Sequence, residues 1–334
     1  MRSLLVLLLL SGCFESKRTL HLYVWSDYVH PEAIKTFEDK YDCHVAIDTY
    51  DSNESMVAKL LAGGGGYDLI FPTQYFVTIL ENQGLLVPLE FSKMPNIKNV
   101  DFEELERYHI PLTTSALPYM LTTTGIGYRA DRVERPKSWT IFGDKSYKGR
   151  MTLLNDIREV IGAALLTLGF SVNSEVESEI EQAADLVIQW RQNIAKFDSD
   201  YKNGIASSEF LLCQAYSGEI QQVIQEAPEV DYSIPQEGSI VSADMLSIPR
   251  GAVDVELAYA FINHVLDPKI ARLNMEYAYA NPANKTMFET LPLSYRQNTL
   301  IFPPEFEVKK CYPILDVGNA TVYYNEAWNR IKSR

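Results

Sequence analysis

The sequence is poor in cysteine and histidine, with 4 Cys and 5 His in 334 residues. It contains no C-x-x-C pair, and its histidines lack the spacing of zinc ligands. Cys43, Cys213 and Cys311 lie far apart in the chain. We therefore expect no metal site and no disulfide framework, and we predict that these three cysteines are buried thiols. One bridge with one free thiol stays open as an alternative.

Hydrolase motifs are also absent, since neither G-x-S-x-G nor H-E-x-x-H occurs. Asp156 and Glu159 are the nearest approach to a catalytic acid pair. Carboxylates three positions apart come from one short segment and need not flank a scissile bond from both sides. No histidine lies nearby to activate a nucleophile. We predict no catalytic residue and no cofactor, and a secreted hydrolase is kept as a minor alternative.

Basic residues are outnumbered, with 30 Lys and Arg against 44 Asp and Glu and a formal net charge of −14. This charge repels phosphates and favours cationic partners over long range. No cluster of basic residues alternates with aromatic ones, so nucleic-acid binding is not expected. The chain is long enough, and at 46% hydrophobic content apolar enough, for two domains with sizeable cores.

Long hydrophobic runs are missing except at the N-terminus, where Arg2 precedes the apolar residues 4–10. This run is too short to cross a hydrocarbon core of about 30 Å. Together with Leu10-Ser-Gly-Cys13 it resembles a bacterial lipobox. We predict a signal peptide at residues 1–12, a lipid anchor on Cys13 and a tether at 13–17, which would hold the exported protein at a membrane. A buried first strand or helix is the alternative.

Beyond this segment the sequence alternates strand and helix patterns, as an α/β fold with parallel sheets and crossover helices would. The glycine run at 63–66 follows a helical pattern and precedes a strand pattern, which is the reverse of a phosphate-binding loop. A stripe of apolar residues from Ile180 to Ile194 at spacings of three and four predicts a helix that faces the core. The strand patterns are residues 20–24, 45–50, 67–71 and 151–154, and the helical ones are 32–41, 55–62, 161–168, 180–194, 252–266 and 322–331.

Acidic and aromatic residues gather in three segments that follow predicted strands and in three segments later in the chain. Ligands bind beyond the carboxyl ends of such strands. Carboxylates receive ammonium groups, and aromatic faces pack against methylenes and make cation–π contacts. The segments are Trp25-Ser-Asp27-Tyr28, Phe71-Pro-Thr73-Gln74-Tyr75, Asp156-Ile-Arg158-Glu159, Tyr216-Ser-Gly218, Ser242-Ala-Asp244 and Tyr277-Ala-Tyr279.

These segments resemble the spermidine/putrescine-binding proteins of bacterial polyamine importers, over almost the whole chain after residue 17. Similar segments also include Tyr50-Asp-Ser-Asn53-Glu54, Pro235-Gln-Glu237-Gly238 and Asp316-Val317-Gly318. The resemblance implies a two-lobed periplasmic-binding-protein fold with a hinge, in a monomer that delivers a polyamine to an ABC transporter permease. It divides the chain into lobe 1, residues 18–122 with 244–288, and lobe 2, residues 123–243 with 289–334.

The resemblance also implies a set of ligand-binding residues. The aromatic box would be Trp25, Tyr28, Tyr75, Tyr216 and Tyr279, the hydroxyl Thr73, and the carboxylates Asp156, Glu159 and Asp244 with Asp27 at the edge. The residues alone leave other roles open: Asp156 as a helix cap, Tyr279 as ordinary packing, Asp244 as a cap or hinge residue.

Two further ligand-binding positions that the resemblance implies depart from the family pattern. Ser242 stands where relatives commonly have a tryptophan, and Ile314 where they have a glutamine. Loss of a polar contact at one end favours putrescine, which has two amines, over spermidine, which has three, although water can refill either position. A binding protein of the same fold for another cationic or small polar solute is the alternative.

Overall fold

The computed structural model describes residues 17–50, 52–63 and 65–333. The predicted signal peptide, Cys13 and residues 14–16 of the tether lie outside the described residues. The strands are β1 Arg18–Trp25, β2 Cys43–Tyr50, β3 Leu69–Ile70, β4 Leu117–Arg129, β5 Met151–Leu153, β6 Lys196–Phe197, β7 Leu212–Tyr216, β8 Val230–Ser233, β9 Ser239–Leu246 and β10 Cys311–Pro313.

The α-helices vary from one to four turns. They are α1 Pro31–Tyr41, α2 Asn53–Leu61, α3 Gln74–Asn82, α4 Phe102–Arg107, α5 Ile157–Thr167, α6 Glu177–Arg191, α7 Lys202–Ala206, α8 Ser217–Glu226, α9 Val255–Val265, α10 Pro268–Ala278, α11 Lys285–Thr290, α12 Leu293–Arg296, α13 Glu305–Val308 and α14 Thr321–Ser333. Short 3₁₀ turns lie at Phe91–Lys93, Pro95–Asn99, Trp139–Gly143, Lys145–Tyr147 and Gly318–Ala320. No described helix is long and apolar enough to cross a membrane.

The first sheet has the order β2-β1-β3, with all pairings parallel. Helices α1 and α2 connect its strands, so the predicted alternation is confirmed. The His30 ring accepts a hydrogen bond from the Glu32 backbone N–H and caps α1, with Pro31 in the first turn. Helix α2 ends at Leu61, and Gly63 just beyond it has a φ of 76°. The glycine run therefore ends a helix, as its position predicted.

The second sheet has the order β10-β9-β4-β7-β5-β6, and β8 also pairs with β4. Strand β4 runs antiparallel to β7, β8 and β9, while the other pairings are parallel. Its first half, to Thr123, pairs with β9, and its second half, from Thr124, pairs with β7. The predicted α/β class with mainly parallel sheets is confirmed, with β4 as an antiparallel strand that joins the two halves of the molecule.

Two separate hydrophobic cores lie on either side of this strand. One surrounds Phe37 and Phe261, and the other surrounds Trp139 and Trp190. The predicted stripe of α6 faces the second core, where Ile180 is fully buried. A third cluster, which includes Leu121 and Val241, fills the space between them. Cys43, Cys213 and Cys311 are buried thiols, as predicted.

Candidate ligand-binding site

A cavity of about 190 Å³ lies between the two cores. Several of its residues stand at the carboxyl ends of parallel strands: Trp25 ends β1, Tyr216 ends β7, and Thr73 and Asp156 come just after β3 and β5. The cavity is lined by eleven of the twelve predicted ligand-binding residues: Trp25, Asp27, Tyr28, Thr73, Tyr75, Asp156, Glu159, Tyr216, Ser242, Asp244 and Ile314.

Asp244 is the centre of a hydrogen-bond network on the first side of the cavity. Its carboxylate accepts from Tyr28 Oη at 2.6 Å and from Thr73 Oγ1 at 2.8 Å. Asn53 in turn donates its Nδ2 to Thr73 Oγ1 at 3.0 Å. Burial raises the pKa of Asp244 to about 6, while hydrogen bonds from Tyr28 and Thr73 and the nearby Trp25 indole oppose this rise. The carboxylate is thus held in place and faces the cavity.

Asp156 and Glu159 form a second acidic group at the start of α5. Asp156 Oδ1 accepts from the backbone N–H groups of Arg158 at 2.9 Å and Glu159 at 3.0 Å, so it caps the helix and lines the cavity at once. The side chain of Glu159 is almost completely buried, and none of the described residues bonds its Oε2.

The Glu159 carboxyl is the most strongly perturbed acid in the cleft. Burial and, after it, the nearby charge of Asp156 raise its pKa to about 8. The hydroxyls of Thr124 and Ser242 lie near enough to lower it in part. Ser242, one of the departures from the family pattern, therefore lies beside this acid.

Arg158 makes no ion pair with Asp156 or Glu159, although its positive charge opposes the rise of both pKa values. Its guanidinium donates to the Leu315 carbonyl at 3.0 Å and to Asn173 Oδ1 at 2.9 Å, and it stacks over the Tyr324 ring at 4.6 Å. These contacts hold the segment after β10 in place, so that Ile314 lines the cavity. The Arg158 side chain is buried, so these contacts lie inside the protein and not at its surface.

The walls of the cavity are aromatic. The Trp25 ring lies 4.4 Å from the Tyr50 ring. Burial raises the pKa values of Tyr75 and Tyr216 well above their ordinary range, so both phenols stay neutral. Tyr216 is fixed by its backbone N–H, which donates to Tyr201 Oη at 2.9 Å. Neutral rings of this kind offer their faces to methylenes and cations.

Tyr279 is the predicted residue that does not line the cavity. It follows α10 in the left-handed conformation, with a φ of 52°, and its ring packs against the cluster of Met275 and Met287. Ala278 lines the cavity in its place. The place of Tyr279 in the aromatic box stays a prediction, and its position also fits the alternative of ordinary packing.

The sequence analysis missed several residues that line the cavity. Glu219 follows directly after the segment Tyr216-Ser-Gly218, in the first turn of α8. Its place next to a predicted binding segment could have indicated that it lines the cavity. Lys202 and Gln222 had no such signal, because only the packing of α7 on α8 brings them to the cavity. The unpredicted lining residues are Ser26, Asn53, Thr122, Lys202, Gly218, Glu219, Gln222 and Ala278.

The two sides of the cavity approach each other closely at Gly218. A Cβ atom on Gly218 would lie 3.0 Å from the carbonyl oxygens of both Ala278 and Tyr279. Only glycine allows the start of α8 to come this near to the end of α10 without a shift. The cleft is therefore narrow at this point.

The chemistry of the cleft suits an organic cation. It combines several carboxylates and neutral aromatic rings with a single basic side chain among the described lining residues. No group of three or more His, Cys, Asp or Glu side chains in the described ranges is arranged to hold a metal ion. The fold and this enclosed cleft are those of a solute-binding protein.

Comparisons with known proteins agree with this class. A family profile described as bacterial extracellular solute-binding protein matches residues 32–300. The chain is 32% identical to the putrescine-binding periplasmic protein PotF of Escherichia coli, over 95% of this chain and 92% of that protein. It is also 32% identical to the spermidine/putrescine-binding periplasmic protein of E. coli, over 96% of this chain and 93% of that protein.

A solved structure extends the likeness to three dimensions. The TpPotD lipoprotein of Treponema pallidum is 34% identical and superposes with a TM-score of 0.85, covering 95% of this chain and 100% of that chain. The protein belongs to the family of bacterial extracellular solute-binding proteins.

Proposed function

We propose that the protein captures a polyamine in the cleft and delivers it to an ABC importer. One observation carries the proposal: three carboxylates, of the buried Glu159 and the partly buried Asp156 and Asp244, face one cavity that aromatic rings line. Burial of an acid is unfavourable unless a cation compensates it. A flexible chain with an ammonium at each end would compensate two of these groups and place its methylenes against the rings.

The strength of such binding is consistent with these contacts. Micromolar affinity corresponds to about −8 kcal/mol. Cation–π contacts of about 0.5–2 kcal/mol each and charge-assisted hydrogen bonds of about 1.5–3 kcal/mol each exceed this before the costs of association are subtracted.

Lobe closure supplies the mechanism of capture. In this proposal lobe 1 is residues 18–122 with 244–288 and lobe 2 is residues 123–243 with 289–334. The chain then crosses between the lobes three times: next to the point where β4 changes partner, at Asp244 in β9, and after residue 288. Ligand contacts from both lobes would favour the closed form. The narrow approach at Gly218 would then be a contact of that form.

Export and membrane attachment complete the proposal. The lipobox-like segment would place a lipid on Cys13 and keep a monomeric binder beside its permease, with residues 13–17 as the tether. The lipoprotein of T. pallidum with a similar fold supports this arrangement. No catalytic step is part of the proposed function, and the relatives are described as binding proteins.

The proposal also concerns which polyamine the protein binds. The relatives include proteins described as putrescine-binding, spermidine/putrescine-binding and putrescine/cadaverine-binding. Ser242 and Ile314 replace larger or more polar side chains, and we take them as favouring putrescine.

Calorimetry of the purified protein in mild detergent tests the proposal. Putrescine, cadaverine, spermidine and spermine are titrated beside amino acids and sulfate, with thermal shifts as a second readout. We expect micromolar or tighter binding of at least one polyamine and none of sulfate. A protein that responds to no polyamine would refute the proposed function.

A further inference from the structure

A lysine lines the cleft of this otherwise acidic site. Lys202 begins α7, is half-buried, and its Nζ donates to Gln222 Oε1 at 3.1 Å. Within the described part of the chain no carboxylate oxygen lies within 4.0 Å of this ammonium. The cleft therefore contains a positive charge of its own that no close ion pair cancels.

The backbone beside Lys202 is fixed against the cleft wall. Its neighbour Tyr201 is fully buried, and the Tyr201 hydroxyl accepts the N–H of Tyr216, a wall residue. The position of the lysine is thus set by the same contact that positions the aromatic wall. The methylene chain of Lys202 can change its rotamer, but its backbone at the start of α7 cannot move away without breaking the contact between Tyr201 and Tyr216.

Glu219 lies at the same end of the cleft. Burial raises its pKa, the positive charge of Lys202 opposes this, and none of the described residues bonds Glu219 Oε2. Gln222, the hydrogen-bond partner of the lysine, lies one turn further along α8. One acid and one base therefore share this end, and the lysine is close enough for its charge to act on the acid.

The other acids lie away from the lysine. Besides burial, the charges of Glu159, Asp156 and Glu219 raise the pKa of Tyr216. Its ring therefore lies between Glu219 and the pair of acids at the start of α5. Asp244 lies on the opposite side with Tyr28 and Thr73. Arg158 is near enough for its charge to act on Asp156 and Glu159, but it bonds to Leu315 and Asn173 and is not among the lining residues. The cleft thus has an acid-rich region that no basic side chain of the described lining enters and an end where Lys202 already supplies a positive charge.

We propose that Lys202 makes the site selective for diamines, because its ammonium stands at the Glu219 end where the third amine of a longer polyamine would have to bind. This inference rests on the proposed function. A diamine would satisfy the acid-rich region without approaching the lysine. A triamine would bring a like charge against Lys202 in a partly desolvated cleft, which is a repulsive element against the wrong ligand.

The test compares putrescine and spermidine in calorimetry of the full chain in mild detergent. Lys202→Met keeps the length of the stem and removes the charge, while Lys202→Arg keeps the charge. Lys145→Met is the matched control, since it removes an exposed lysine outside the cleft. A panel ligand with one ammonium and one carboxylate, 4-aminobutanoate, is added because a carboxylate would pair with Lys202.

We expect the wild type to bind putrescine more tightly than spermidine. Lys202→Met should lower the spermidine Kd about tenfold or more and change the putrescine Kd less than about threefold, while the Arg and Lys145 variants keep the wild-type ratio. Equal affinity of the wild type for both ligands would overturn this inference but not the proposed function. The same holds if Lys202→Met leaves the ratio of the two Kd values unchanged. Binding of 4-aminobutanoate with no polyamine binding would overturn the proposed function and the inference with it.

Discussion

Binding of a diamine at pH 7 is expected to release close to one proton, because Glu159 holds a proton in the empty cleft. Burial and then the charge of Asp156 raise its pKa to about 8. A carboxyl with this pKa is about one-tenth ionised at pH 7. An ammonium placed beside it favours the carboxylate and lowers the pKa.

The magnitude follows from the two ionised fractions. If the ligand lowers the pKa of Glu159 to about 6, the ionised fraction at pH 7 rises from about 0.1 to about 0.9, a release of about 0.8 proton. Asp244, with a pKa of about 6 before binding, adds about 0.1 at most. The complex then holds fewer protons than the free protein, so affinity should rise with pH between about 6 and 8 and level off above.

Calorimetry in buffers of different ionisation enthalpy measures this release directly. The observed binding enthalpy at pH 7, plotted against the ionisation enthalpy of phosphate, imidazole and Tris, should have a slope equivalent to about 0.8–0.9 proton. The ligand amines contribute little, because their pKa values lie near those of lysine, about 10.4. Glu159→Gln should reduce the slope to about 0.1. A wild-type slope near zero would show that Glu159 is ionised before binding and would refute the reasoning.

Further substitutions test the site at single contacts. Asp244→Ala should weaken polyamine binding by about 2–5 kcal/mol in calorimetry, since it removes a charge and two hydrogen-bond acceptors; unchanged affinity would remove Asp244 from the site. Tyr28→Phe deletes a hydrogen bond that lowers the pKa of Asp244. In a plot of affinity against pH, the fall in affinity on the acidic side should therefore begin at a higher pH, and an unchanged fall would contradict this. Gly218→Val should prevent the close approach to Ala278, so ligand should no longer compact the protein in X-ray scattering; normal compaction would count against closure at this point. Glu159→Gln should raise the melting temperature of the ligand-free protein at pH 8.5, where the folded wild type bears a buried charge on Glu159. It should not raise it at pH 4, where this carboxyl is mostly protonated in both the folded and the unfolded protein. An equal change at both pH values would assign the effect to packing.

The site could be predicted from the sequence wherever strand ends determine it. Trp25, Tyr216, Thr73 and Asp156 all lie at or just after the carboxyl ends of parallel strands, and this rule needs no knowledge of the rest of the fold. Lys202 has no comparable signal. Its place in the cleft depends on how α7 packs against α8, which no local pattern encodes.

The lack of a local sequence pattern also explains why strand β4 was not predicted. Strand β4 is buried along almost its whole length, so it shows no alternation of polar and apolar residues, and threonines and glycines interrupt it from Thr122 to Gly127. Tyr279 was placed in the site because it is an aromatic residue in a family-like segment. The left-handed turn at the end of α10 directs its ring to a different cluster, and that depends on where the helix ends.

Buried polar atoms without protein partners line the cleft, and they link stability to function. In the described part of the chain Trp25 Nε1, Glu159 Oε2 and Glu219 Oε2 are buried without a hydrogen bond, and all three residues line the cavity. Each such atom costs about 1–3 kcal/mol in a folded protein. An ammonium group donates a hydrogen bond that Glu159 can accept, and an ionised Asp244 carboxylate would attract the Trp25 indole. A diamine therefore compensates defects that the fold alone does not remove, and this is the physical reason to expect tight binding from so small a ligand.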